Sequence, residues 1–237
     1  MSTITFIDSA YPKPHLLEEF VWAGRLDESG KLWFDLHLKS KYYYLSEGEE
    51  YIEDEEEDFD DDAEYTSMSE WQSRIVWDNY HQCTLSSTYW SDEGGLLLSD
   101  GTTPFSFDLL DNKEFVLNPL PLPDDMLESE LAFGIYLLGH DLSANHTISF
   151  TPLANKHYAI QWSGVIALAY GGFYDYIHEF KADITESKFD GFYFPTTWTL
   201  EEAKKRFEQV LSNIDQYEFI DINPMSNKRE YKLMLKE

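Results

Sequence analysis

Between Glu47 and Glu64 the chain places 13 acids in 18 positions and no base. No packed element can be built from such a run. Like charges at i,i+4 oppose a helix, and the few apolar residues cannot cover a strand face. The run therefore reads as a mobile loop between two folded segments, so any core must come from its flanks. It does not fold into a calcium loop of the EF-hand type. Over residues 53–64 a Glu closes the pattern, but Asp58 stands where the turn glycine belongs. Its densest part, Glu53, Asp54, Glu55, Glu56, Glu57, Asp58, Asp60, Asp61 and Asp62, is a candidate binding element for a basic surface.

The run is not the whole of the charge. The 237 residues hold 45 Asp+Glu against 17 Lys+Arg, a net −28, of which −15 remains outside the run. Residues 1–120 carry 7 bases against 27 acids, and residues 121–237 carry 10 against 18. Spread over a folded surface of roughly 11,000 Å², this is one net negative charge per roughly 400 Å². Such a surface repels nucleic acid and anionic lipid and attracts basic proteins. The run alone is too sparse to imitate DNA. Extended, it carries one charge per roughly 5 Å, against one per ~1.7 Å in a duplex.

The flanks can fold. Hydrophobic residues make up 43% of the chain and aromatics 16%, with 7 Trp, 16 Tyr and 16 Phe, too many for a disordered protein. Tyr42, Tyr43 and Tyr44 precede the run and Trp71 follows it. Three consecutive tyrosines cannot all face one core, so at least one must face solvent or a partner. These four residues are candidate contacts, because Tyr and Trp bury large area in interfaces.

Strand signals dominate the flanks. Residues 19–40 read as a hairpin turning at Asp27-Glu28-Ser29-Gly30, with Leu32, Phe34, Leu36 and Leu38 on one face and Asp35, His37 and Lys39 on the other. A second hairpin is expected from 96–98 through Asp100-Gly101 to 105–109. Residues 147–194 read as a β meander, with strands at 147–150, 157–162, 165–170 and 176–184. Thr199 and Glu202 form a capping box before one amphipathic helix over about 199–213. The tail alternates again over 217–222 and 231–235. The expected fold class is α+β: β-rich, mainly antiparallel, with one helix packed late. Pro119, Pro121 and Pro123 suggest a break between a segment 1–118 and a segment 124–237, with a single domain as the alternative.

Chemistry is harder to find. The sequence has no P-loop, dinucleotide fingerprint or Gly-x-Ser-x-Gly, and no cofactor is implied. His81 and the lone Cys83 are two ligands at most, short of a zinc site. His140, Asp141 and His146 read as polar residues flanking a loop. The remaining catalytic candidates are Asp175, His178, Glu179 and Asp183. On a strand, Glu179 and Asp183 share one face with Lys181 between them, and His178 points the other way. That pattern suits acid–base work on a glycoside or an ordinary cross-strand charge ladder.

One cysteine fits a reducing compartment. Residues 1–20 lack a signal-peptide pattern, and Val165–Tyr170 is too short to span a bilayer. A cytoplasmic protein is expected. Three functions are in view. The first is a non-enzymatic acidic protein capturing a basic partner, for example an inhibitor or immunity protein of a basic toxin or nuclease. The second is a hydrolase without a recognisable motif. The third is an accessory subunit pairing through edge strands.

Overall fold

The computed structural model describes residues 1–47, 67–87, 94–111, 113–226 and 228–236. The dense acids from Glu53 to Asp62, and the loop expected there, lie outside the described residues.

Eight strands close into an antiparallel barrel. They are β1 (Thr3–Phe6), β2 (His15–Leu26), β3 (Leu32–Ser40), β4 (Thr84–Ser86), β7 (Gly134–Tyr136), β8 (His140–Pro152), β9 (His157–Ala167) and β10 (His178–Lys188). Each pairs with its neighbour in this series, and β10 pairs back onto β1. This is an up-and-down barrel, interrupted between β4 and β7 by β5 (Leu96–Ser99) against β3 and β6 (Glu114–Leu117) against β8. Its strands come from both sides of the Pro119–Pro123 segment.

The alternation in the sequence explains the barrel. Leu32, Phe34, Leu36 and Leu38 all point inward with no exposed surface. An eight-stranded barrel is just wide enough to be filled by side chains. Phe6, Leu38, Leu85, Ile135, Trp162 and Phe180, each at most 1% exposed, fill it here. Burial of each such side chain contributes about 1.5–3 kcal/mol.

Beyond the barrel, β11 (Phe192–Tyr193) runs parallel to β2 and carries a hairpin of β12 (Tyr217–Asp221) and β13 (Tyr231–Leu235). Helix α3 (Leu200–Val210) packs Ala203, Phe207 and Val210 into the core. Its capping box forms as the sequence predicts, with Glu202 N–H donating to Thr199 Oγ1 and Thr199 N–H to Glu202. Two short helices, α1 (Ser67–Gln72) and α2 (Arg74–Tyr80), precede β4.

Several expectations are corrected. The late helix stops at Val210, not near residue 213, because Leu211 turns extended and bridges Phe105. Residues 105–109 are not the return strand of a second hairpin. Phe105 makes that isolated bridge, and Phe107–Leu109 is a single 3-10 turn capped by Ser106. The segments 157–162 and 165–170 are one strand as far as Ala167, continuous through Ser163-Gly164 and paired to β10 along its length. His140, Asp141 and His146 all lie on β8 with no loop between them, and His140 and Asp141 open the strand directly after the β7–β8 turn.

Candidate binding surface at one end of the barrel

Neighbouring barrel strands run in opposite directions, so their connections alternate between the two ends. The β1–β2, β3–β4, β7–β8 and β9–β10 connections therefore share one end. The β3–β4 connection contains the acidic run, and the β9–β10 connection is Leu168–Ile177. The topology thus puts the run's attachment points beside a loop that reads Leu-Ala-Tyr-Gly-Gly-Phe-Tyr-Asp-Tyr-Ile.

An aromatic cluster anchors the run at both sides. Tyr43, 0% exposed, donates its hydroxyl to Leu137 O (3.1 Å) and packs edge-on to Trp77 at 4.7 Å. Trp71, 3% exposed, donates Nε1–H to Ile7 O (3.0 Å), packs on Trp77 and stacks on His178 at 4.2 Å. These two candidate contacts are core anchors that hold the two sides of the run together, and as placed they cannot touch a partner. The tyrosine triplet divides as one backbone turn requires. Tyr42 is 42% exposed and stacks on the half-buried Tyr44 at 5.6 Å.

The exposed aromatics that the sequence reading missed are on the β9–β10 loop. Tyr170 and Tyr174 are each more than 60% exposed, and Ile177 is 58% exposed. Reading 165–170 and 176–184 as strands absorbed Tyr170 and Tyr176 into alternation. The available signal was Gly171-Gly172 amid tyrosines with no period-2 pattern. Rings continue across the end: Tyr170 to Tyr80 (6.1 Å), Tyr80 to Tyr136 (6.0 Å), Tyr136 to His140 (5.2 Å).

The loop is held from beneath. Asp141, 3% exposed, accepts from Leu138 N–H at 2.9 Å and from Tyr170 N–H at 3.3 Å, tying the β7–β8 turn to the tyrosine loop. Burial pushes its carboxyl up to about 6, with Glu70 of α1 adding repulsion. Glu70 is itself raised by burial. Two glycines make the packing possible. At Gly139 (φ +148°) a Cβ would lie 2.3–2.6 Å from three atoms of Tyr170. At Gly171 it would lie 2.8 Å from Glu70 Oε2. Burial and the neighbouring Tyr170 raise Tyr80 to about 12, so its hydroxyl stays protonated.

The catalytic candidates are not brought together. Asp175 is on the exposed loop, and His178 points into the core against Trp71. Glu179 and Asp183 lie on the outer face of β10, opposite Val165 and Gln161 of β9. Four residues of extended strand separate them by roughly 13 Å, beyond the roughly 5–9.5 Å used by glycosidase pairs. Cys83 is buried, and its thiol is pushed up by that burial. Among the described residues, no group of three or more His, Cys, Asp or Glu is placed to hold a metal ion. No helix among them is long and apolar enough to cross a membrane.

No protein-family model matches the sequence. No curated protein and no solved structure matches it significantly. The geometry of this end therefore carries the functional argument alone.

Proposed function

We propose that this chain is a non-enzymatic acidic protein that captures a basic protein partner on the tyrosine-bearing end of its barrel. One observation carries the reading. The loop exposing Tyr170, Tyr174 and Ile177 shares a barrel end with both attachment points of the acidic run. Tyrosines on a loop held by a rigid scaffold supply contact area at low entropic cost. Thirteen acids attached nearby attract a basic partner towards that area. An inhibitor or immunity protein of a basic toxin or nuclease, working in the cytoplasm, is the form of the reading that best fits the net −28 and the lone cysteine. A carrier of small ligands in the barrel is not favoured, because side chains fill the interior. Edge pairing is not favoured either. Closure removes the edges of the eight barrel strands, and the strands left at sheet edges, β5, β6 and β12, are only four, four and five residues long.

Affinity capture at low and high salt tests the reading, with wild type compared against a Tyr170→Ala/Tyr174→Ala double variant. The expected result is a basic protein held by wild type at low salt and released at high salt. The variant should hold it at least roughly 30-fold more weakly, the effect of losing one hot spot of 2 kcal/mol. Equal retention by the two proteins would overturn the surface.

A further inference from the structure

Beside the tyrosine loop lies a cleft of about 290 Å³ whose lining includes Glu128, Leu131, Phe133, His140, Asp141 and Leu142. It runs along the side of the barrel, from the β4–β7 connection, which supplies Glu128, Leu131 and Phe133, to the start of β8, where His140 and Asp141 reach the tyrosine end. Glu128 is close enough to Tyr176 to help raise that hydroxyl's pKa, and His140 sits edge-on to Tyr136. The chemistry of the lining is one-sided. Two carboxylates and a histidine are its ionisable groups, and neither Lys nor Arg contributes. Its apolar wall is Leu131, Phe133 and Leu142.

Apolar walls under carboxylates suit a cation on a hydrocarbon stem. The stem packs on the wall while the head meets the exposed Glu128, since Asp141 is buried and already accepts from Leu138 and Tyr170 N–H. Between the two basic side chains, arginine fits better. Its planar guanidinium is less strongly hydrated than an ammonium, stacks on aromatic rings and binds carboxylate through two parallel donors. We infer that this cleft is the socket for an arginine side chain of the basic partner, an inference that rests on the capture reading above. It adds an anchor of stated chemistry beside the tyrosine surface, arginine and tyrosine being among the residue types in which interface hot spots are enriched.

Agmatine, a guanidinium on a four-carbon stem, is the probe, titrated into the ¹⁵N-labelled full chain. Putrescine, with the same charge and no guanidinium, controls for diffuse attraction to an acidic protein. Agmatine should give saturable amide shifts at Gly134, His140 and Leu142 at millimolar concentration, and putrescine should give markedly smaller ones. Glu128→Gln should weaken agmatine about 10-fold. Ser129→Trp, at an exposed position on the cleft wall, should occlude the cleft and abolish the shifts while leaving the rest of the spectrum in place. Absent shifts, equal shifts with putrescine, or shifts that survive Ser129→Trp would each overturn the socket. The two readings fail separately. If Ser129→Trp holds the partner as wild type does and agmatine leaves the cleft unmoved, the socket fails and capture stands. If Tyr170→Ala/Tyr174→Ala holds the partner as wild type does, the capture surface fails whatever agmatine does.

Discussion

Two buried titratable groups oppose each other as pH falls. Asp141 titrates near 6 in the fold against 3.8 for a free carboxyl, because burial disfavours its charge. The fold therefore takes up this proton before the unfolded chain does. Stability gained through Asp141 appears as pH drops through about 6 and is complete below the unfolded value, at most about 3 kcal/mol. His146 runs the other way. It is fully buried, receives Trp162 Nε1–H at Nδ1 (3.2 Å), and leaves Nε2 without a partner. Burial lowers its pKa to about 3, so the fold keeps it neutral while the unfolded chain charges below 6.5. Stability is lost through His146 from that point downward, and His178, lowered by the same cause, adds to the loss. From about pH 6 to pH 4 the Asp141 and His146 slopes offset. Asp141→Asn removes one side of the balance. Urea unfolding from pH 7 to pH 4.5 should show the variant losing about 2 kcal/mol of stability relative to wild type. Parallel curves would mean that Asp141 is not the buried acid described. Nothing in the sequence marked these two residues. Both were visible only as polar residues near a turn, since burial depends on strands far away in the chain.

Single elements divide into those that announce themselves locally and those that do not. The β2–β3 hairpin, helix α3 and the β12–β13 hairpin carry their own patterns: alternation around a turn, and a capping box before an apolar stripe. All three form. Helices α1 and α2 hold only six and seven residues, too few for a periodic signal, and owe their existence to Trp71 and Trp77 packing on the barrel end. The tyrosine loop depends on its glycines unequally. At Gly171 the neighbour is the far end of Glu70, a flexible side chain that can move, so Gly171→Ala should cost under about 1 kcal/mol. At Gly139 a Cβ meets the root of the Tyr170 ring, and the backbone conformation is one that L-residues avoid. Gly139→Ala should cost roughly 2–4 kcal/mol, displace Tyr170 and weaken partner capture. Melting curves of the two variants check the ranking. Equal losses would show that the turn is not seated on the ring.

At the scale of the whole molecule, alternation in the sequence revealed strands but not their partners. Closure of the barrel rests on β1 meeting β10 and β4 meeting β7, contacts between segments that no local pattern links. The same topology puts the attachment points of the acidic run, which carries −13 of the net −28, at the tyrosine end. Attraction between exposed charges fades over a Debye length of about 8 Å at physiological salt. A nine-residue strand such as β3 spans roughly 30 Å, several Debye lengths. On the capture reading, acids attached at the tyrosine end guide a partner to that end, and acids at the far end do not. Replacing the acids from Glu49 to Glu64 by their amides should slow association with the captured partner by at least 10-fold while leaving dissociation nearly unchanged. The melting temperature should stay within a few degrees of wild type, because so acidic a run has few apolar residues to give a core. Restoring an equal acidic stretch in the β8–β9 turn, at Leu153–Lys156 on the opposite end, returns the net charge but not its place. Stopped-flow association at low salt should then stay close to the neutralised variant. Recovery of the wild-type rate by the misplaced stretch would show that total charge, not its position beside the tyrosine loop, governs encounter.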